Sequence, residues 1–108
     1  MGVRKEPIVS EHAEDPARQS EIDRFVIRLG ERIDGLQDAD LAGDFERLAE
    51  LSRDFEDAAG RAGYPVLAAH AHAVAEACTR RDPIGVRELL LELTELAQRV
   101  RLGHRSAA

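Results

Sequence analysis

Residues 44–64 read DFERLAELSRDFEDAAGRAGY, and this stretch decides the fold because it has the pattern of one complete amphipathic helix. Asp44 is of a residue type preferred at helix N-caps. Gly63 is of the type most often found just beyond a helix C-terminus. A helix with one core-facing side is expected to pack against other helices. The predicted core-facing positions are Phe45, Leu48, Ser52, Phe55, Ala59 and Ala62.

Three more segments have the apolar periodicity of helices. One is predicted from about Ala17 to Gln37, after the start signal Asp15-Pro16. The others begin at Pro65 and at Asp82-Pro83, a cap followed by proline in the first turn. Their core-facing positions are Ile22, Phe25, Val26, Leu29, Ile33 and Leu36, then Leu67, His70, Ala71, Val74, Ala77 and Cys78, then Val86, Leu89, Leu90, Leu93, Leu96, Ala97 and Val100.

Four amphipathic helices with short connections predict an all-α fold, an antiparallel up-down four-helix bundle. We predict that the bundle covers residues 8–102, between a flexible N-terminus at 1–7 and a flexible C-terminus at 103–108. Ile8 and Val9 are expected to pack over one end of the bundle.

Composition restricts the classes of partner. The net charge of −6 argues against general nucleic-acid binding. No apolar run approaches the roughly 20 residues that span a bilayer, so no membrane partner is expected. The lone Cys78 fits a buried small hydrophobe in a reducing cytoplasm, where we place the protein. A basic cluster is interpreted as a solvated helix end, and it comprises Arg99, Arg101, His104 and Arg105.

The sequence lacks the motifs of catalysis and of metal binding. His70 and His72 are two residues apart on a helix, so they point in different directions and cannot share a metal. The sequence has no Ser/His/Asp set whose neighbouring residues form a catalytic motif. It also has no phosphate-binding glycine loop. We therefore expect neither an enzyme nor a cofactor nor a metal site.

The outward side of the 44–64 helix carries most of its charge. At 100° per residue, Arg53 falls roughly opposite the apolar stripe. Glu46, Glu50 and Asp57 lie on the same outward side, with Glu56 and Gly60 towards its edge. On its own, this pattern is typical of a solvated charged face.

The ordered set of segments resembles the histidine phosphotransfer (Hpt) family of bacterial phosphorelays. The run Ala58-Ala59-Gly60-Arg61-Ala62-Gly63-Tyr64 is similar to the small residues and spaced glycines that end the family's active-site helix. Residues 25–36, FVIRLGERIDGL, resemble its preceding helix, and Ala42-Gly43-Asp44 followed by an aromatic residue resembles its helix opening. The likeness covers about residues 8–101 and implies a four-helix bundle with an exposed site on the second helix.

The residues that carry phosphotransfer in this family are replaced. The glycine match puts the family's phosphohistidine at Arg53, its lysine at Glu56 and its adjacent small residue at Asp57. A guanidinium stays protonated and positively charged in proteins, so it is not expected to accept a phosphoryl group. Carboxylates at the other two positions oppose the charge stabilisation that phosphoryl transfer needs. The resemblance therefore implies a degenerate, pseudo-Hpt domain without a catalytic residue.

The main functional hypothesis is a docking module of two-component signal transduction. It would bind a response-regulator receiver domain or a histidine kinase without transferring phosphate, and Arg53 would pair with an acidic pocket of the receiver. Ile27 and Leu91 are apolar at positions predicted to be exposed, and they are further contact candidates. The predicted partner-binding residues are Glu46, Glu50, Arg53, Glu56, Asp57 and Gly60.

Two alternatives remain open. The first is active phosphotransfer through another histidine, either His72 or His70 on the third helix. The second is a structural protein whose bundle assembles into a dimer. We expect a monomer or a weak dimer.

Overall fold

The computed structural model describes residues 6–107, with side chains through His104, and within that range it contains helices but no strand. An extended N-terminal segment leads into a short 3-10 turn, Pro16–Arg18. Five α-helices follow: α1 (Gln19–Ile27), α2 (Leu29–Leu41), α3 (Phe45–Arg61), α4 (Pro65–Thr79) and α5 (Pro83–Ala107). The all-α prediction is confirmed. Within 6–107, no helix combines the length and apolar character that crossing a bilayer requires.

The prediction of one helix over residues 17–37 was wrong in two respects. The segment forms two helices, because Arg28 (φ −90°, ψ −1°) interrupts it between α1 and α2. Neither glycine nor proline stands at residue 28, so no local residue type signals this break. The second helix also runs past Gln37 to Leu41, because Gly43 is the first residue that takes the left-handed conformation (φ +68°) ending it.

The predicted ends of α3 are confirmed. The Asp44 side chain caps its first turn by accepting a hydrogen bond from the Arg47 amide at 3.0 Å. At the other end Gly63 takes φ +84°. Its amide donates to the Gly60 carbonyl at 3.1 Å, and the Tyr64 amide donates to the Ala59 carbonyl at 2.9 Å. These two bonds form a Schellman motif, which fixes where the helix stops.

The starts of α4 and α5 also follow the prediction. Pro65 and Pro83 stand at the first helical positions, and Asp82 caps α5 by accepting from the Gly85 amide at 3.0 Å. Helix α4 ends in a Schellman motif at Arg81, a non-glycine residue with φ +52°. This left-handed residue shortens the connection between α4 and α5 to three residues, Arg80–Asp82.

The core lies between α3, α4 and the remaining helices. Helix α3 packs mainly against α4 and also against α2, while α5 packs against α4 and α2. Phe25 contacts both other core aromatics, with ring centroids 5.9 Å from Phe55 and 5.6 Å from Tyr64. Cys78 is buried as predicted, and burial raises the pKa of its thiol. Ser52 is also fully buried, and its hydroxyl has no hydrogen-bond partner among the described residues.

The described N-terminal segment packs along α5. The Ile8 amide donates to the Arg99 carbonyl at 2.9 Å, and Ile8 packs against the core while Val9 is half-exposed. Gly103 is buried because the Ile8 backbone approaches so closely that a Cβ there would collide with it. Helix α5 continues to Ala107, so the boundary predicted after residue 102 falls inside a helix. Residues 1–5 and 108 of the predicted flexible ends lie outside the described residues.

Candidate functional site

Helix α3 presents one charged side to solvent, and we call it the α3 face. The capped ends of α3 fix which residues point outwards, because Leu48, Phe55 and Ala59 are almost completely buried on the opposite side. Glu56 is half-buried at the edge of the α3 face towards α4, and the other predicted partner-binding residues are exposed. The α3 face comprises Glu46, Glu50, Arg53, Glu56, Asp57 and Gly60.

The structure brings the α3 face next to a histidine of α4. His72 Nδ1 lies 3.2 Å from Glu56 Oε2, and His72 Nε2 lies 3.4 Å from Glu76 Oε1. Both ring nitrogens of His72 therefore face carboxylates. This contact joins two helices, and spacing along either helix alone does not indicate it.

Arg53 lies near the middle of α3 and forms no ion pair with a described residue. Elsewhere on the helix, Arg47 Nη1 lies 4.0 Å from Glu50 Oε2, the limit of an ion pair. Arg53 is exposed, so its guanidinium is accessible to a partner. The binding role of Arg53 and of the other face residues stays a prediction.

The remaining histidines take separate positions. His70 is half-buried on the flank of α4, where its Nδ1 lies 3.1 Å from the Val66 carbonyl and its Nε2 lies 3.2 Å from Glu92 Oε2. His70 and His72 thus point in different directions, as their spacing predicts, and they contact Glu92 on α5 and Glu56 on α3. Among residues 6–107, no group of three or more His, Cys, Asp or Glu side chains is arranged to hold a metal ion.

The prediction that the basic cluster near the C-terminus is only a solvated helix end needs correction. Arg99 Nε donates to the Glu6 carbonyl at 2.7 Å, and His104 Nε2 lies 2.8 Å from Asp23 Oδ1 on α1. The guanidinium of Arg101 lies against Gly30. The Arg105 side chain lies outside the described part. The apolar pattern of α5 gave no indication of these contacts, since their partners are distant in sequence.

A pocket of about 520 Å³ lies beside the Asp23–His104 pair. Its wall includes Val9 from the N-terminal segment, Ile27 from α1 and Tyr64. Burial raises the pKa of the Tyr64 hydroxyl, and the nearby charge of Asp23 raises it further. The predicted exposure of Ile27 and of Leu91 is confirmed, and only Ile27 lines this pocket.

Asp23→Asn is expected to remove an acid-sensitive part of the stability. The hydrogen bond from His104, followed by the one from Gln19, holds the pKa of Asp23 below its ordinary value of 3.8. A carboxylate with a lowered folded pKa stabilises the fold above its unfolded pKa, and this stabilisation is lost as the pH falls through the folded pKa. The urea midpoints of wild type and variant should therefore differ near pH 5 and converge towards about pH 2.

The matched control for this pH series is Glu88→Gln, which changes an exposed carboxylate on α5. Glu88 has no hydrogen bond or ion pair with a described residue, so its substitution should leave the difference from wild type nearly constant with pH. A constant difference for Asp23→Asn as well would show that the His104 contact does not stabilise the carboxylate in solution.

No protein-family model, no curated protein and no solved structure matches the chain. The resemblance to the Hpt family therefore depends on the sequence segments themselves. The site is defined by the α3 face and by the contact of Glu56 with His72.

Proposed function

We propose that the chain is an Hpt-like module of two-component or phosphorelay signalling that is not itself phosphorylated. It acts by docking on a receiver domain or on a histidine kinase, as a competitor or scaffold. The observation that carries the proposal is the exposed position of Arg53 on the α3 face, where the resemblance puts the phosphohistidine. No histidine stands anywhere on α3.

The architecture that fits this proposal is an antiparallel four-helix bundle in which α1 and α2 together form the first arm. Two hydrogen bonds support a continuous arm through the break at Arg28. The Arg28 amide donates to the Arg24 carbonyl at 3.3 Å, and the Arg32 amide donates to the Arg28 carbonyl at 3.0 Å. Both have the spacing of an α-helix.

The charges around Arg53 argue against phosphorylation of the α3 face. Phosphoryl transfer requires positive groups around the transferred phosphate, to offset the charge that develops on its oxygens. Glu56 and Asp57 add negative charge at the positions of the family's lysine and small residue. A protein partner that presents an acidic pocket would instead meet the free guanidinium of Arg53.

Transfer through His72 or His70 is the weaker alternative. Each ring has both nitrogens close to an oxygen atom of the protein, and for His72 both of these oxygens belong to carboxylates. A phosphoryl group on His72 would lie against Glu56 or Glu76 and would be repelled. Acid-labile phosphohistidine that disappears in a His72→Ala or His70→Ala variant would establish this alternative and overturn the docking proposal.

The test is a binding panel against receiver domains and kinases from the source organism, with phosphoryl transfer measured in parallel. Wild type is expected to bind at least one member without transfer. Arg53→Glu should weaken that binding by about tenfold, or about 1.4 kcal/mol, because it reverses the charge that faces the partner. Glu56→Lys should tighten it, since it removes a carboxylate from a face that meets an acidic surface.

The control for these charge reversals is Glu88→Lys. Glu88 is exposed on α5, and α5 packs against α4 and α2. Its affinity should stay within about twofold of wild type. If Glu88→Lys tightened binding as much as Glu56→Lys does, the changes would reflect net charge alone and would contradict the α3 face as the contact. No binding across the panel, together with concentration-dependent dimerisation in light scattering, would favour the assembly alternative.

A further inference from the structure

Four arginines converge on one groove between the α1–α2 arm and the end of α3. The groove has a volume of about 520 Å³. We call it the arginine groove, and it is defined by Arg24, Arg28, Arg32 and Arg61. Glu21 is its one acidic lining residue, and Phe25 and Ala58 contribute apolar wall.

Helical spacing explains why these side chains meet. Arg24, Arg28 and Arg32 follow one another at intervals of four residues, which places them along one side of the arm. The hydrogen bonds across residue 28 preserve this spacing through the break. Arg61 approaches from the last turn of α3, on the opposite wall of the groove.

The charge of the arginine groove is not neutralised within the described residues. No carboxylate of residues 6–104 lies within 4.0 Å of these four guanidinium groups, the distance at which the ion pairs of the chain are defined. The one lining carboxylate, Glu21, lies 3.4 Å from Arg18, which is outside the groove. The chain has 21 acidic and 15 basic side chains, yet no carboxylate of the described residues lies within ion-pair distance of these four guanidinium groups.

Arg32 is a second sign that the charge of the groove is uncompensated. Its Nε is shielded from solvent and has no hydrogen-bond partner among the described residues. A buried donor of a charged group without an acceptor costs about 1–3 kcal/mol or more. An anion beside this guanidinium would offset part of that cost by compensating its charge.

We propose that the arginine groove binds a small molecule that carries two or more phosphate groups. Guanidinium groups present paired N–H donors that match the oxygens of phosphate, and several such groups around one site favour an oligoanion over a single charge. The groove volume lies within the range of small-molecule sites, about 300–1,000 Å³. Its apolar wall at Phe25 and Ala58 leaves room for an organic part of the ligand.

This site is separate from the proposed docking function. Arg61 lies eight residues after Arg53 on α3, a separation of about 12 Å along the helix axis. None of the six residues of the α3 face lines the groove. Arg24, Arg28 and Arg32 lie outside α3, so their substitution tests anion binding independently of docking on the α3 face.

The test is a titration of the folded chain with inorganic pyrophosphate, followed by amide and arginine side-chain NMR signals at constant ionic strength. Saturable shifts are expected at the four arginines and at Ser20, which also lines the groove. Arg28→Gln and Arg61→Gln change exposed side chains, so both variants should stay folded. Each should weaken pyrophosphate binding by about tenfold, the loss expected for one charge-assisted contact.

Arg47→Gln is the matched control, because Arg47 is exposed on the same helix and outside the groove. Its affinity for pyrophosphate should equal that of wild type. The proposal is overturned if shifts fail to saturate up to about 10 mM pyrophosphate. It is equally overturned if sodium chloride at matched ionic strength produces the same shifts, or if Arg47→Gln weakens binding as much as the groove variants do.

Discussion

Phe55→Ala is expected to lower the free energy of unfolding by about 3–5 kcal/mol, the range for removing a buried aromatic ring. Phe55 is 1% exposed, directly opposite the α3 face, and its ring meets Phe25 edge-on at 5.9 Å. Phe25 in turn stacks on Tyr64. Removing the Phe55 ring would leave a cavity where α3 meets α1. Urea unfolding of the purified variant measures this loss.

Ile27→Ala is the control for this prediction, since Ile27 is 78% exposed and its truncation should change stability by no more than about 0.5 kcal/mol. The comparison separates burial from apolar character, because both substitutions shorten an apolar side chain on a helix. A small domain has about 5–15 kcal/mol of stability in total. A loss below about 1.5 kcal/mol for Phe55→Ala would therefore contradict a tightly packed core beneath α3.

The α3 helix illustrates what the sequence predicts well. Its apolar stripe, its cap at Asp44 and its terminal Gly63 are all local signals, and each acts within a few residues of the position it determines. The outward direction of Arg53 follows from helical geometry once these ends are known. The α3 face was thus predictable residue by residue, although its biological role was not.

Contacts between distant segments were not predictable in the same way. The Glu56–His72 pair joins α3 to α4, and the Asp23–His104 pair joins α1 to α5. Periodicity identifies the face on which a side chain lies, but it does not identify the neighbouring helix. The break at Arg28 was not predictable either, because neither helix propensity nor a glycine or proline at this residue signals it.

The arginine groove was predictable only in part. The recurrence of Arg24, Arg28 and Arg32 at four-residue intervals was visible in the sequence and indicates one helix side. The addition of Arg61 depends on how α3 packs against α1 and α2, which is a tertiary property. That no carboxylate of residues 6–104 pairs with these arginines is likewise visible only once the side chains are placed.

Gly63→Ala is expected to lower the free energy of unfolding by about 2–5 kcal/mol. About 1–2 kcal/mol comes from placing a Cβ in the left-handed conformation, because Gly63 has φ +84°. Crowding adds about 1–3 kcal/mol, since the new Cβ would collide with Ser10 Oγ and would lie 3.1 Å from the Glu11 backbone nitrogen. The Glu11 amide also donates to the Gly63 carbonyl, so the N-terminal segment should loosen as well.

Gly60→Ala, within α3, is expected to have the opposite effect on the free energy of unfolding. Gly60 is exposed, and a Cβ there would meet nothing within 4 Å. Alanine should therefore raise stability by about 0.5–1 kcal/mol through its better helix propensity. Equal effects of the two substitutions in urea unfolding would contradict the left-handed assignment at Gly63.

The contrast between the two glycines also separates stability from binding. Gly63 is required by the fold, whereas Gly60 belongs to the α3 face and has no structural need to lack a side chain. If a receiver domain docks closely on this face, Gly60→Ala should weaken docking while raising the urea midpoint. A variant that is both more stable and a poorer binder cannot owe its loss of affinity to unfolding, so that outcome would assign Gly60 to the contact surface directly.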